Sequence, residues 1–255
     1  MAAPFAVAQT PLPGAAQGAD IVFLGEQHDN PDHHARQAEW VAALAPKALV
    51  FEMLTTDQAA RATDDARQTQ GTLQAALGWD AAGWPDFAMY YPIFTAAPEA
   101  AIYGAGVPRD DIRGVMEHDV TAIFGAADAA RFGLDAPLPL AQQTARQALQ
   151  AQAHCDALPQ MLLPMMVSVQ RLRDASLARA ALAAFAETGG PVVVITGNGH
   201  ARTDWGAPVY LRHADPALDV IAIGQGEAGQ DPAGAFDGTV DGAAVDRGDP
   251  CDAFN

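Results

Sequence analysis

The sequence predicts an α/β fold, with a mostly parallel central sheet, helices on both faces and a helical insertion between the third and fourth strands. Two observations carry this. Short apolar runs such as "IVFL" and "VVVIT" are continuous rather than alternating, as in strands covered on both sides. Longer alanine-rich segments of helical character separate them, and strands that alternate with helices wind into a largely parallel sheet.

The first strand is read over Asp20–Leu24 and stops at Gly25. A helix follows from Asn30–Pro31 to about Ala45, because Asn caps a helix and Pro suits its first turn. The second strand is Ala48–Met53. Thr55 or Thr56 caps a helix that ends near Gly71, and a helix over Phe87–Ala97 precedes the third strand, Ala100–Ala105. The insertion holds helices over Asp119–Arg131, Leu140–Ala157 and Leu162–Thr188. Within it Pro159 and Pro164, in "DALPQMLLPMM", should break or bend the chain. Strands over Val192–Thr196, Val209–Arg212 and Asp219–Gly224 complete the pattern. Beyond Gly224 the chain is rich in Gly and Asp and reads as mostly irregular, with "AFDGTV" adding an edge strand.

Residues 20–255 read as one domain, since no repeat or low-complexity linker divides them. Residues 1–19 are apolar without a positive n-region, and read as a disordered leader or the remnant of a trimmed export signal. The chain carries 31 acidic against 14 basic residues, a formal charge of −17, so its surface repels phosphate backbones and nucleic acid is excluded as a partner. No apolar run approaches the roughly 20 residues that span a bilayer. Cys155 and Cys251 permit one disulfide, but a chain of 255 residues is stabilised by its core, and two unpaired thiols are expected.

Ligands of open parallel sheets bind beyond the carboxyl ends of the strands. There the sequence concentrates its chemistry. The first strand ends in Gly25-Glu26-Gln27-His28, the second carries Glu52, and the "VVVIT" strand ends in Gly197-Asn198-Gly199-His200. Two imidazoles, two carboxylates and an amide thus converge on one edge. A lone histidine after a strand is an ordinary loop residue; two in matching G-x-x-H positions with Glu52 between them point to a site. His28, Glu52 and His200 match the ligand set of a catalytic metal ion with an open position. They match equally a metal-free arrangement in which a carboxylate-oriented imidazole is a general base. Glu26 is either part of this site or a cap on the following helix. His33 and His34 diverge by about 100° on a helix, so at most one faces the site; His34 is the better placed, but a solvated ring is the expected fate of either. His118, His154 and His213 read as structural or surface residues. H-E-x-x-H, G-x-S-x-G, C-x-x-C and the phosphate-binding G-x-x-x-x-G-K-S/T are absent.

The segments "FLGEQHDNPDHHARQAEW", "LVFEML", "SVQRLRDASLARAL" and "VVVITGNGHARTDWGAPVYL" resemble the ChaN-type haem-binding uptake proteins, of the superfamily shared with Tiki proteases, TraB proteins and erythromycin esterases. The resemblance covers about Ile21 to Leu211. It implies a haem-binding protein of bacterial iron uptake, periplasmic or held at a membrane by a lipid anchor, with a homodimer enclosing the haem. The wider superfamily implies instead a metal-dependent or histidine-based hydrolase centred on Gly25, His28, Glu52, Gly197 and His200. Glu26, His28, Glu52, His200 and Arg173 are the candidate catalytic residues. Haem needs an axial ligand, an apolar slot and cations for its propionates. Tyr90 or Tyr91 can supply a phenolate, "QMLLPMM" an apolar wall, Arg171 or Arg173 a cation, and His34 and Asn198 further contacts. Against these stand core packing for the aromatic and Met clusters, and a simple salt bridge between Arg173 and Asp174.

Overall fold

A computed structural model of the protein describes residues 11–249 and residue 251. The first ten residues of the expected leader lie outside them; the rest includes a 3-10 turn over Gly14–Ala16 with Ala16 buried. Six parallel strands form one sheet: β1 (Ile21–Glu26), β2 (Ala48–Phe51), β3 (Ala101–Gly104), β4 (Val192–Gly197), β5 (Val220–Glu227) and β6 (Gly238–Gly242), in the order β3-β2-β4-β1-β5-β6. The α/β prediction and its helical insertion between β3 and β4 hold.

The continuous hydrophobicity of the strands follows from burial on both faces. Ile21, Phe23, Val50, Val192 and Val194 pack with the long helix Leu163–Thr188. The alternate residues Val22, Leu24, Leu49, Phe51, Val193 and Ile195 pack with Trp40, Trp79, Phe87 and Phe94 on the opposite face. Two-residue alternation therefore divides one sheet between two cores.

Several expected elements differ. Val209–Arg212 is not a strand but lies in a helix, Ala207–Ala214. Pro208 sits in its first turn, and Ala207, Tyr210 and Leu211 bury one face at spacings of three and four residues, a helical and not an alternating period. The helix expected from Thr55 to Gly71 divides into Thr56–Ala59, Asp64–Arg67 and Gln70–Leu77, because Thr55, Thr63 and Thr69 each cap a new start with their side chains. Asp119–Arg131 divides at Gly125, which takes a φ of 95°. The helix from Leu140 ends at Ala153, and Pro164 opens the long helix rather than bending it. β5 runs on to Glu227 because β6 pairs with its carboxyl half. Cys155 and Cys251 are joined in a disulfide, correcting the expected free thiols and tying the tail to the insertion.

The register places the site. β1 pairs Glu26 with Gly197 of β4, and β2 pairs Phe51 with Ile195. Glu52, one residue past β2, donates its N–H to the Ile195 carbonyl and so comes level with Thr196 and Gly197.

Candidate functional site

Glu52 is the centre of the carboxyl edge. Its Oε2 accepts the Thr196 hydroxyl at 2.6 Å and the Gly197 N–H at 2.8 Å. Its Oε1 faces two imidazoles, His200 Nε2 at 3.6 Å and His28 Nε2 at 3.9 Å. Each ring is held from behind by a second carboxylate: His28 Nδ1–H donates to Glu26 at 2.8 Å, and His200 Nδ1–H to Asp174 at 2.6 Å. The result is two carboxylate–imidazole pairs aimed at one shared carboxylate. Fixing Nδ1 in this way turns both Nε2 atoms toward Glu52.

The glycines of the two G-x-x-H turns make this approach possible. A Cβ on Gly197 would lie 3.0 Å from His28 Nε2, and one on Gly25 would lie 2.4 Å from Asn198 Oδ1. Asn198 is a brace: its side chain bonds the backbone of Gln225 in both directions and joins β4 to β5.

Burial and charge set the protonation states. Burial alone would push Glu52 upward, but the fields of His200 and His28 and the Thr196 and Gly197 hydrogen bonds outweigh it and hold the carboxyl at about 2. Burial likewise opposes charge on His28, yet the Glu26 hydrogen bond and the Glu52 field raise it to about 9. His200 is raised despite its burial by Glu52 and Asp174, against an opposing field from Arg173. At neutral pH the edge thus holds a cationic His28 beside the Glu52 carboxylate.

Behind His28 is a second buried layer. Glu26 is 1% exposed and accepts the Tyr90 hydroxyl at 2.8 Å. His34 donates its Nε2–H to the His28 carbonyl at 2.9 Å and sets Nδ1 3.4 Å from Glu26. Glu26 does not cap the following helix; Asn30 does. Neither His33 nor His34 is solvated as expected. His33 is buried toward β5, where it donates to the Gly226 carbonyl and accepts from the Gln27 N–H.

The other expected residues are spread. Tyr90 is sealed in, and burial and Glu26 raise its hydroxyl well above the ordinary phenol value, so it keeps its proton. Tyr91 donates to the Arg67 carbonyl away from the imidazoles. Arg171 bonds the Leu134 and Ala136 carbonyls and the Tyr210 hydroxyl. Met161 of "QMLLPMM" is 82% exposed, while Met165 and Met166 are half-buried in the first turn of the long helix. Arg173 is near the site: with Glu52 it lines a cavity of 470 Å³ that also has Trp84, Ile112, Leu177 and Arg109 in its walls. Trp84 in turn packs edge-on against His28, with ring centres 5.1 Å apart.

Asp174, Thr196 and Trp84 complete the site beyond the residues singled out in the sequence. Asp174 carries a legible signal. It is the only carboxylate of the long helix before Glu187, and a buried carboxylate demands a partner; that partner is His200 and not Arg173. Trp84, in an irregular loop, leaves no such signal. Among the described residues no group of three or more His, Cys, Asp or Glu side chains is arranged to hold a metal ion.

Comparison with known proteins adds three results. A family model described as haem-binding uptake, Tiki superfamily, ChaN, matches residues 12–211. No curated protein matches the sequence. Among solved structures, one described as cofacial haem binding to ChaN of Campylobacter jejuni is similar in fold, with a TM-score of 0.65 at 18% identity over 86% of this chain and 86% of that one. The type III effector HopBA1 gives a TM-score of 0.48 at 14% identity over 89% and 88% of the two chains. A mutant erythromycin esterase in its open conformation gives 0.43 at 13% identity over 84% and 71%.

Proposed function

The chain belongs to the ChaN family of haem-binding uptake proteins in the Tiki superfamily, and we propose that it binds haem in bacterial iron or haem uptake, at the His/Glu site on the carboxyl edge of the sheet. The observation that carries this reading is the family match, which spans every residue of the constellation from Glu26 to His200. The cavity beside Glu52 supports it. Its 470 Å³ lies within the usual range of ligand pockets, roughly 300–1,000 Å³, and an indole and aliphatic walls suit an apolar macrocycle. Of the two paired imidazoles, His28 is the more accessible, with 33% of its side chain exposed against 11% for His200. Haem supplies an iron centre that takes an axial imidazole or phenolate. The chain's own part is to hold His28 through Glu26 and to set its ring against Trp84, a wall of the cavity.

The disulfide supports placement in an oxidising compartment, hence the periplasm or a membrane face turned toward it. A homodimer around the ligand belongs to the same reading. Titration of the purified protein with hemin tests it: a saturable, shifted Soret band near one haem per chain is expected, with light scattering reporting any change in mass. The absence of a saturable band refutes it.

A second reading is favoured by one observation, the Asp174–His200 pair directed at Glu52, which is the geometry of an oriented acid or base. In this reading the chain is a histidine-based hydrolase using His28, Glu52 and His200. Ester hydrolysis that is abolished in His200→Ala but unaffected by chelator supports it; equal rates in the variant and the parent refute it.

A further inference from the structure

The cations of this acidic chain are almost all engaged. Arg36, Arg67, Arg171, Arg202, Arg212 and Arg247 hold carboxylates, amide oxygens or backbone carbonyls. Arg131 lies over an aromatic ring, and Lys47, Arg61, Arg113, Arg146 and Arg179 have polar partners of their own. Only Arg109 and Arg173 have no hydrogen-bond, ion-pair or ring partner among the described residues. Both line the cavity that Glu52 also lines.

Chance does not readily account for that placement. With 31 acidic side chains in the sequence, an uncommitted guanidinium has carboxylates to pair with over much of the surface. Arg109 even adjoins Asp110, which pairs with Arg113 instead. Glu52 in the same cavity is already satisfied by Thr196 and Gly197 and faces two imidazoles. Two forked cations left open on the walls of one partly apolar cleft make a receptor for an amphipathic anion, since guanidinium geometry matches carboxylate geometry in paired hydrogen bonds. Trp84, Ile112 and Leu177 supply the apolar surface between them.

We infer that the cavity over Glu52 selects its ligand by carboxylates, and that Arg109 and Arg173 are the specificity-determining residues that receive the two propionates of the porphyrin. This rests on the haem reading above and adds to it which end of the molecule is recognised. An exposed surface arginine that served only solubility would discriminate between no two porphyrins.

Wild-type protein is titrated in one detergent buffer with hemin and with hemin dimethyl ester, which has the same iron and ring but no free carboxylate. Hemin is expected to bind at least about tenfold more tightly, the scale of a charge-assisted hydrogen bond lost from a ligand. An Arg109→Gln/Arg173→Gln double variant should lose that preference and bind both porphyrins alike, with an unchanged circular dichroism spectrum. Equal affinity of the wild type for the two porphyrins overturns the inference while leaving haem binding intact, and needs no variant to fold. A double variant that folds and keeps the wild-type preference overturns the assignment to these arginines. Failure of hemin itself to bind overturns the haem reading together with the inference.

Discussion

Two regions of the same sheet edge reach the same electrostatic result by opposite means. At the ends of β2 and β4, Glu52 is buried and held at about 2 by imidazoles and two hydrogen-bond donors, against the cost of burial. At the end of β5, Glu227 is also held at about 2, yet it is partly open to solvent and bound chiefly by Arg247. Arg247 bonds Asp29 at 2.5 and 2.6 Å and Glu227 at 2.6 and 2.7 Å, clasping the tail across the loop that follows β1. A guanidinium in solvent satisfies carboxylates with little desolvation. His200 is sealed in with Glu52 and His28 is half-buried beside it, so losing the carboxylate strands its partners. Similar shifts therefore hide very different dependence on the partner.

The largest contrast is expected from charge removal at the two centres. Glu52→Gln removes the buried carboxylate that the half-buried His28 and the buried His200 both face, and should cost roughly 3–5 kcal/mol in urea denaturation, the range for breaking a buried ion pair. Arg247→Ala should cost no more than about 1 kcal/mol, because its partners return to water. Equal losses in the two variants would erase the distinction. Hemin binding sharpens it next: His28→Ala should lower affinity by at least about tenfold, the loss of one ligating or charge-assisted contact, while Arg247→Ala leaves the Soret titration unchanged.

The pH profile separates the regions more gently. His28 has a folded pKa above its unfolded value, so its contribution is complete below about 6.5 and is lost as pH rises through about 9. Glu227 and Glu52 have folded values below their unfolded ones, so their contributions hold above about 4.5 and fade as pH drops through about 2. Stability should fall in acid through both regions, and in alkali between 6.5 and 9 through the site, with Glu52→Gln flattening the alkaline arm. The smallest effect is ionic: 1 M salt should remove most of the Arg247 contribution and little of that from Glu52, read as the change in denaturation midpoint for each variant.

The same contrast explains what the sequence discloses. The strand ends were legible because continuous apolar runs stop at Gly25 and Gly197, and the sheet rule places whatever follows on one edge. That brought Glu26, His28, Glu52 and His200 together without reference to their distances. Contacts made by helices docking from elsewhere were not legible. Asp174 reaches His200 from the long helix, and Tyr90 reaches Glu26 from the opposite face of the sheet. The Val209–Arg212 error has a physical source too: a short run with β-branched and aromatic residues satisfies either period, and only the burial of Ala207, Tyr210 and Leu211 decides. The Arg247 clasp and the disulfide join segments more than 90 residues apart in chain, and no local pattern announces such pairings.

Glu52 adds its charge to both rings, to His28 beside the Glu26 hydrogen bond and to His200 beside Asp174. Following the His28 ring by NMR across pH, in wild type and in Glu52→Gln, tests it most directly. The expected result is a midpoint near 9 in the wild type that moves toward the ordinary imidazole value in the variant. A midpoint near 6.5 in both proteins would contradict it.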